Sequence, residues 1–240
     1  RQIEAVKLAF QASLEHVTDI RSMKIKVEDL LSDDFAEDNR KRIGREAIIP
    51  APSEHSDGGT VYLAAADDDG NMVSYIQSNY IGFGSGLVVP GTGIALHSRG
   101  RNFSFDSSHV NALQPNKRPY HTIIPGFLMK AGQPVGPFGI MGGFMQPQAH
   151  VQVLMNCIDF GLNPQAALDA PRWIWMQGRE VRIEKSFEKY LADRLEERGH
   201  EVSFDRDDLL FGRGQIIWKD ANGTLVGGTD SRTDGNIYSW

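Results

Sequence analysis

The chain has 240 residues, 40% of them apolar and 23% charged, an ordinary balance for a globular protein of one or two domains. The formal net charge is −6 and no basic stripe appears, which argues against a nucleic-acid partner. Cys157 is the single cysteine, so no internal disulfide forms, and no apolar run reaches the roughly 18 residues of a membrane-spanning helix.

The chain opens on Arg1 and directly on a helical pattern, so a further segment is expected upstream. Ile3, Val6, Phe10, Leu14 and Val17 recur at helical spacing over residues 2–20. Residues 27–43 repeat the pattern, with Glu28 and Asp29 early and Arg40, Lys41 and Arg42 late, which suits the helix dipole. From Arg45 to Gly59 the chain reads REAIIPAPSEHSDGG, without periodicity, and is expected to be a linker or exposed loop. Two apolar runs around Asp69-Gly70-Asn71 predict a hairpin. A glycine-rich stretch at 82–93 leads to a short strand expected at 94–97. Two more strands are expected around Lys130-Ala131-Gly132-Gln133. Gly142-Gly143 precedes a helix over about 146–160, and Asn163 can cap another. A strand at 180–184, a helix at 187–198 and a hairpin over 213–228 turning at Asn222-Gly223 complete the pattern. This alternation predicts a layered α/β (α+β) fold and leaves its topology open. Cys157, in an apolar run, reads as a buried structural thiol, and Asp67-Asp68-Asp69 as a solvated turn rather than a metal site.

Thr60 stands where the linker meets a strand. On spacing alone it is an ordinary strand-starting threonine. The surrounding text adds more. The stretch GGTVYLAAADDDGNMVSYIQSNY, then FGSGLVVPGTGIAL, PNKRP at 115–119, Gly142-Gly143 and NCIDFGLNPQAALDAPR at 156–172 resemble, in order, the small subunit of γ-glutamyltransferases and cephalosporin acylases. The resemblance covers essentially all of 60–240, and LLSDDFAEDNRKRI resembles the end of the large subunit.

The resemblance implies a four-layer αββα N-terminal-nucleophile fold, with 1–59 as the end of the large subunit plus processing linker and 60–240 as the small subunit. It implies self-cleavage between Gly59 and Thr60, with Thr60 then the nucleophile and its new α-amine the base. An α-amine has a reference pKa of about 7.7–8.0, so base and nucleophile share one residue. Ser78 falls where the family orients the nucleophile hydroxyl, and Gly142 and Gly143 where backbone amides form the oxyanion hole. The amino-acid clamp departs from the family pattern. Asn102 stands at an aspartate that receives the substrate ammonium, Arg99 at a glutamine, His121-Thr122 at a serine pair, and Tyr80 at an asparagine. Arg99 is either a solvated surface arginine or a partner for a carboxylate. Asp230-Ser231-Arg232 resembles the family's Asp-Pro-Arg, with a structural role.

The expected activity is therefore γ-glutamyltransferase-like hydrolysis or transfer of an acyl group from an amide such as glutathione. A glutaryl-accepting acylase and a non-catalytic scaffold are the alternatives. The expected partners are a γ-glutamyl or glutaryl amide and the large-subunit portion of the same precursor. No cofactor or metal is expected. The compartment is left open, with the cytoplasm favoured over secretion.

Overall fold

The computed structural model describes residues 1–50 and 60–240. The part of the linker from 51 to 59, Gly59 included, lies outside the described residues. Helix α1 (Gln2–His16) buries Ile3, Val6 and Phe10, the apolar positions of the predicted stripe. The second predicted helix is two: α2 (Val27–Leu30) and α3 (Asp33–Arg42). The break has a local cause. Ser32 Oγ accepts from Phe35 N (3.2 Å), which starts a new helix and ends the old one.

Strands β1 (Thr60–Ala66) and β2 (Met72–Ser78) form the predicted hairpin, with Thr60 opposite Ser78. Asp67 closes its turn by accepting from Asn71 N and Nδ2, both at 2.8 Å. No strand forms at 94–97, which corrects the expectation. Val88 and Ala95 make one isolated bridge, and the chain folds back through Val89 N to Ile94 O and Leu96 N to Leu87 O. Leu87, Val88, Ile94 and Leu96 are all exposed, so no neighbouring sheet extends the pairing.

Strands β3 (Gly126–Lys130) and β4 (Gln133–Met141) follow, then α4 (Met145–Ile158) and α5 (Pro164–Asp169), the latter capped by Asn163 Oδ1 on Ala166 N (2.9 Å). Next come β5 (Trp173–Gln177), β6 (Glu180–Glu184), α6 (Lys189–Glu196), β7 (Glu201–Asp205), β8 (Arg213–Lys219) and β9 (Leu225–Thr229). The sheets are β1-β2, β3-β4-β8-β9 and β5-β6-β7. The β6–β7 pair is parallel and α6 is its crossover; the other pairs are antiparallel.

The layers follow from strand alternation. Phe138, Ile140 and Ile216 point from the four-stranded sheet into a core with Met145, Ala149, Val153 and Leu168 of α4 and α5. Gly139, on the opposite face, lies under Tyr62 of β1: a Cβ there would run into the Tyr62 ring. The described residues thus stack the β1–β2 sheet on the four-stranded sheet and that sheet on helices. The outward face of β1–β2 exposes Val61, Leu63, Val73 and Tyr75.

Sequence reading did not anticipate β5 or β7. The α4 glutamines explain the first. Gln148 and Gln152 are buried, and each pairs with a β5 backbone: Trp175 N to Gln148 Oε1 (2.8 Å), Gln148 Nε2 to Trp175 O (3.1 Å), Trp173 N to Gln152 Oε1 (3.0 Å) and Gln152 Nε2 to Trp173 O (2.9 Å). Two side-chain amides satisfy the edge of β5 as a neighbouring strand would. Cys157 is half-buried beside the core, and burial pushes its thiol up to about 11.

Candidate active site

Thr60 begins β1 on the face turned inward and is 7% exposed. Its hydroxyl donates to Ser78 Oγ at 2.9 Å, across the register pair that ends the hairpin. Ser78 Oγ also accepts from Tyr80 N at 2.8 Å. Tyr80 is buried and has φ 78, in the left-handed region that a bulky residue occupies only under constraint. Its phenol donates to Asn102 Oδ1 at 2.8 Å.

The hairpin packs on β4. Tyr62 Oη and Ser74 Oγ are 2.8 Å apart, and Ser74 Oγ donates to Gly126 O at 2.8 Å. Gly126 is the register partner of Phe138, while the Tyr62 ring lies over Gly139. Gly142 and Gly143 have φ of 140 and 57, and their carbonyls accept from Met145 N and Gln146 N as α4 begins. Amides just before a helix have no acceptor within it. A Cβ on Gly142 would sit 3.2 Å from Gly212 Cα and 3.3 Å from Met145 Cβ, so only glycine fits without displacing neighbours.

Arg99 is 2% exposed, which discards the solvated-surface reading. Its Nη1 donates to Thr122 Oγ1 at 2.7 Å, and its guanidinium lies 5.1 Å from the Tyr80 ring centroid. Burial pulls the guanidinium below its usual range, and the nearby Tyr80 opposes this. Asn102 Nδ2 donates to Tyr120 O at 2.9 Å. Tyr80, Arg99, Asn102 and Thr122 thus form one connected group, joined to Thr60 through Ser78. His121 is the exception. Its residue surface is largely exposed and its Nδ1 accepts from Ile123 N at 3.4 Å; partial desolvation of the imidazole, with the nearby cations Arg99 and Arg118 and with His97, lowers its pKa.

One residue of this group went unread in the sequence. Asn111 is buried; its Oδ1 accepts from Thr18 Oγ1 (2.9 Å) and Tyr120 N (3.1 Å), and its Nδ2 donates to the Asn102 carbonyl. It fastens the loop bearing Asn102 to the segment after α1. No periodicity marks it, because it lies in an irregular loop. PNKRP is held nearby: Arg118 N donates to Asp19 Oδ2 at 2.9 Å, and Arg21 to Asn116 O at 2.6 Å. Arg21 also donates to Asp19 from Nε (3.0 Å), Nη2 (2.8 Å) and its backbone N (3.0 Å), and these bonds with that from Arg118 N hold the Asp19 carboxyl far below the usual carboxylate range, the Arg21 side chain most.

The stacked sheets and helices are the architecture of N-terminal-nucleophile hydrolases, here in α+β form. The chain belongs to the family described as Gamma-glutamyltranspeptidase, whose model matches residues 1–240. It is similar to the glutathione hydrolase-like YwrD proenzyme of Bacillus subtilis strain 168, 39% identical over 97% of this chain and 45% of that protein. The oxamate amidohydrolase proenzyme of Klebsiella pneumoniae is 35% identical over 98% and 46%. The chain spans about half the length of these relatives. Among solved structures, the cephalosporin acylase from Bacillus halodurans matches with TM-score 0.94 and 60% identity, over 100% of this chain and 44% of that one. The γ-glutamyltranspeptidase from Pseudomonas nitroreducens complexed with L-DON matches with TM-score 0.66 and 25% identity, over 75% of this chain and 98% of that one. Among the described residues, no helix is long and apolar enough to cross a membrane.

Proposed function

We propose that the protein is a self-cleaving threonine amidohydrolase that takes γ-glutamyl or related acyl groups from amides. The observation that carries this reading is the Thr60 hydroxyl, buried at the head of an inward-facing strand and donating to Ser78 Oγ at 2.9 Å.

In processing, Thr60 Oγ attacks the Gly59 carbonyl carbon, the Gly59–Thr60 C–N bond breaks, and the α-amine of Thr60 is released. Water then hydrolyses the resulting ester, leaving a Gly59 carboxylate. In turnover the free α-amine takes the hydroxyl proton as Oγ attacks the substrate carbonyl, and the leaving amine departs with a proton. Water or an amine acceptor resolves the Thr60 acyl ester. Ser78 orients the hydroxyl. The Gly142 and Gly143 amides, at the head of α4 and just past the end of β4, suit the oxyanion of both steps.

The boundary has its own support. Residues 60–240 number 181 of 240, or 75%, the share of this chain matched by nearly the whole P. nitroreducens chain. Residues 1–59 are then the end of the large subunit and 60–240 the small one. The names of relatives, from glutathione hydrolase-like to oxamate amidohydrolase and cephalosporin acylase, favour a broad reading of the acyl group.

The test is Thr60→Ala in the full-length protein. The parent should give two bands on a denaturing gel, with Thr60-Val61-Tyr62 at the new terminus, and the variant one uncut, inactive polypeptide. Cleavage at 59/60 in the variant would show that Thr60 does not perform it.

A further inference from the structure

Two arginines of this chain are almost fully buried, and they are treated differently. Arg172 is 1% exposed and has a counter-ion: Nη2 donates to Asp230 Oδ2 at 2.6 Å, and Nη1 and Nη2 reach the carbonyls of Leu168, Phe211 and Gly212 at 2.9–3.0 Å, its Nε alone lacking a partner among the described residues. Arg99 is 2% exposed, yet Thr122 Oγ1 is the one acceptor of its guanidinium among the described residues, and no carboxylate there lies within ion-pair distance. A buried guanidinium without a counter-ion is costly, and the cost is relieved when an anion arrives. The planar fork is suited to a carboxylate, which it grips through two parallel N–H bonds.

Among the described residues, the surroundings add nothing that would receive a cation. Asn102 is neutral and its amide is engaged at both ends, with Tyr80 Oη and Tyr120 O. The other charged or titratable groups near Arg99 are His97, whose Nδ1 accepts from Arg99 N at 3.2 Å, and His121. The group reaches the reacting threonine in a few contacts: the guanidinium on the Tyr80 ring, Tyr80 N on Ser78 Oγ, Ser78 on Thr60.

We infer that Arg99 and Thr122 form an anion subsite that holds the free carboxylate of a dicarboxylic acid monoamide and discriminates against an acyl group bearing an ammonium beside that carboxylate. The inference rests on Thr60 as the nucleophile. Thr122 and the Tyr80 ring hold the guanidinium in place, and the strained Tyr80 backbone sets the ring beneath it.

The test uses the full-length, self-cleaved protein with matched glutaryl, butyryl and γ-glutamyl anilides. The kcat/KM for glutaryl should exceed that for butyryl by about ten- to a hundred-fold, mostly through KM, and should also exceed that for γ-glutamyl. Arg99→Gln should collapse the glutaryl-to-butyryl ratio at least ten-fold, and Arg99→Lys should keep part of it. A parent ratio near one, a ratio unchanged in Arg99→Gln, or a γ-glutamyl preference indifferent to Arg99 would overturn the subsite. Should Arg99→Gln not fold, inhibition of the parent decides: glutarate should compete at least ten-fold better than neutral glutaramide, and equal inhibition overturns the proposal. A chain that is cut and hydrolyses glutaryl and butyryl amides alike keeps the nucleophile and loses the subsite. A chain never cut at 59/60 loses the nucleophile; glutarate titrated into it by calorimetry still decides the subsite, absence of binding refuting it.

Discussion

Removing one oxygen, in Ser78→Ala, tests how the nucleophile is held. In the parent, Ser78 Oγ accepts from the Thr60 hydroxyl at 2.9 Å and from Tyr80 N at 2.8 Å. Alanine forfeits the hydroxyl pair, about 1 kcal/mol net, and strips the Tyr80 amide of this acceptor, about 1–3 kcal/mol for a buried donor. Tyr80 also sits at φ 78, a strained conformation of order 1–3 kcal/mol that needs such restraints to persist. The hydroxyl and amide losses together come to about 2–4 kcal/mol. If they fall on the transition state, the rate drops by roughly 30- to 1,000-fold. The assay is the rate of conversion from one band to two, followed by kcat on the cut fraction. Both should fall, and Ser78→Thr, which keeps the oxygen, should recover much of the loss. A Ser78→Ala protein that is cut and turns over at the parent rate would show that this hydrogen bond does not position Thr60.

Two further expectations concern stability. Asp230→Asn leaves the Arg172 guanidinium, 2% exposed in its side chain, without its 2.6 Å carboxylate partner; breaking a buried pair costs about 3–5 kcal/mol, or about 6–20 °C in Tm for a chain of this size. A Tm within 2 °C of the parent (roughly 1 kcal/mol or less) would refute that role. Burial holds His150 and His200 down to about 4 from an ordinary 6.5, with Arg172 adding to the first and Lys7 to the second. The unfolded chain then takes up protons first, so their contribution is whole above about pH 6.5 and lost as pH falls towards 4, of order 2–3 kcal/mol for each. Tm measured from pH 7.5 to 5 should fall, and His150→Gln, which can still accept from Ile140 N as Nε2 does at 3.0 Å, should flatten the fall; an identical profile would remove His150 from the account.

The hairpin over 60–78 was legible because an alternating apolar pattern and an Asp-Gly-Asn turn are local signals, and the structure places both where the pattern does. Helix α5 was likewise written in its Asn163 cap. β5 was not, because Trp173-Ile174-Trp175 is buried throughout and shows no alternation. What makes it a strand is the pair of glutamines from α4 along its edge. The 94–97 segment failed in the opposite sense: the local pattern suits a strand, but among the described residues its pairing stops at the single Val88–Ala95 bridge.

The sequence by itself determined the β1–β2 hairpin, the Gly-Thr junction at the head of a strand, the glycine pair before a helix and the family to which these belong. Local propensity and residue identity suffice for each. Only the tertiary structure decided that Arg99 is buried rather than solvated, that among the described residues it has no carboxylate such as Arg172 has, and that Tyr80 and Thr122 meet it while Asn102 meets Tyr80. Those residues come from separate loops, so their charge environment depends on how distant segments pack and not on any neighbour along the chain.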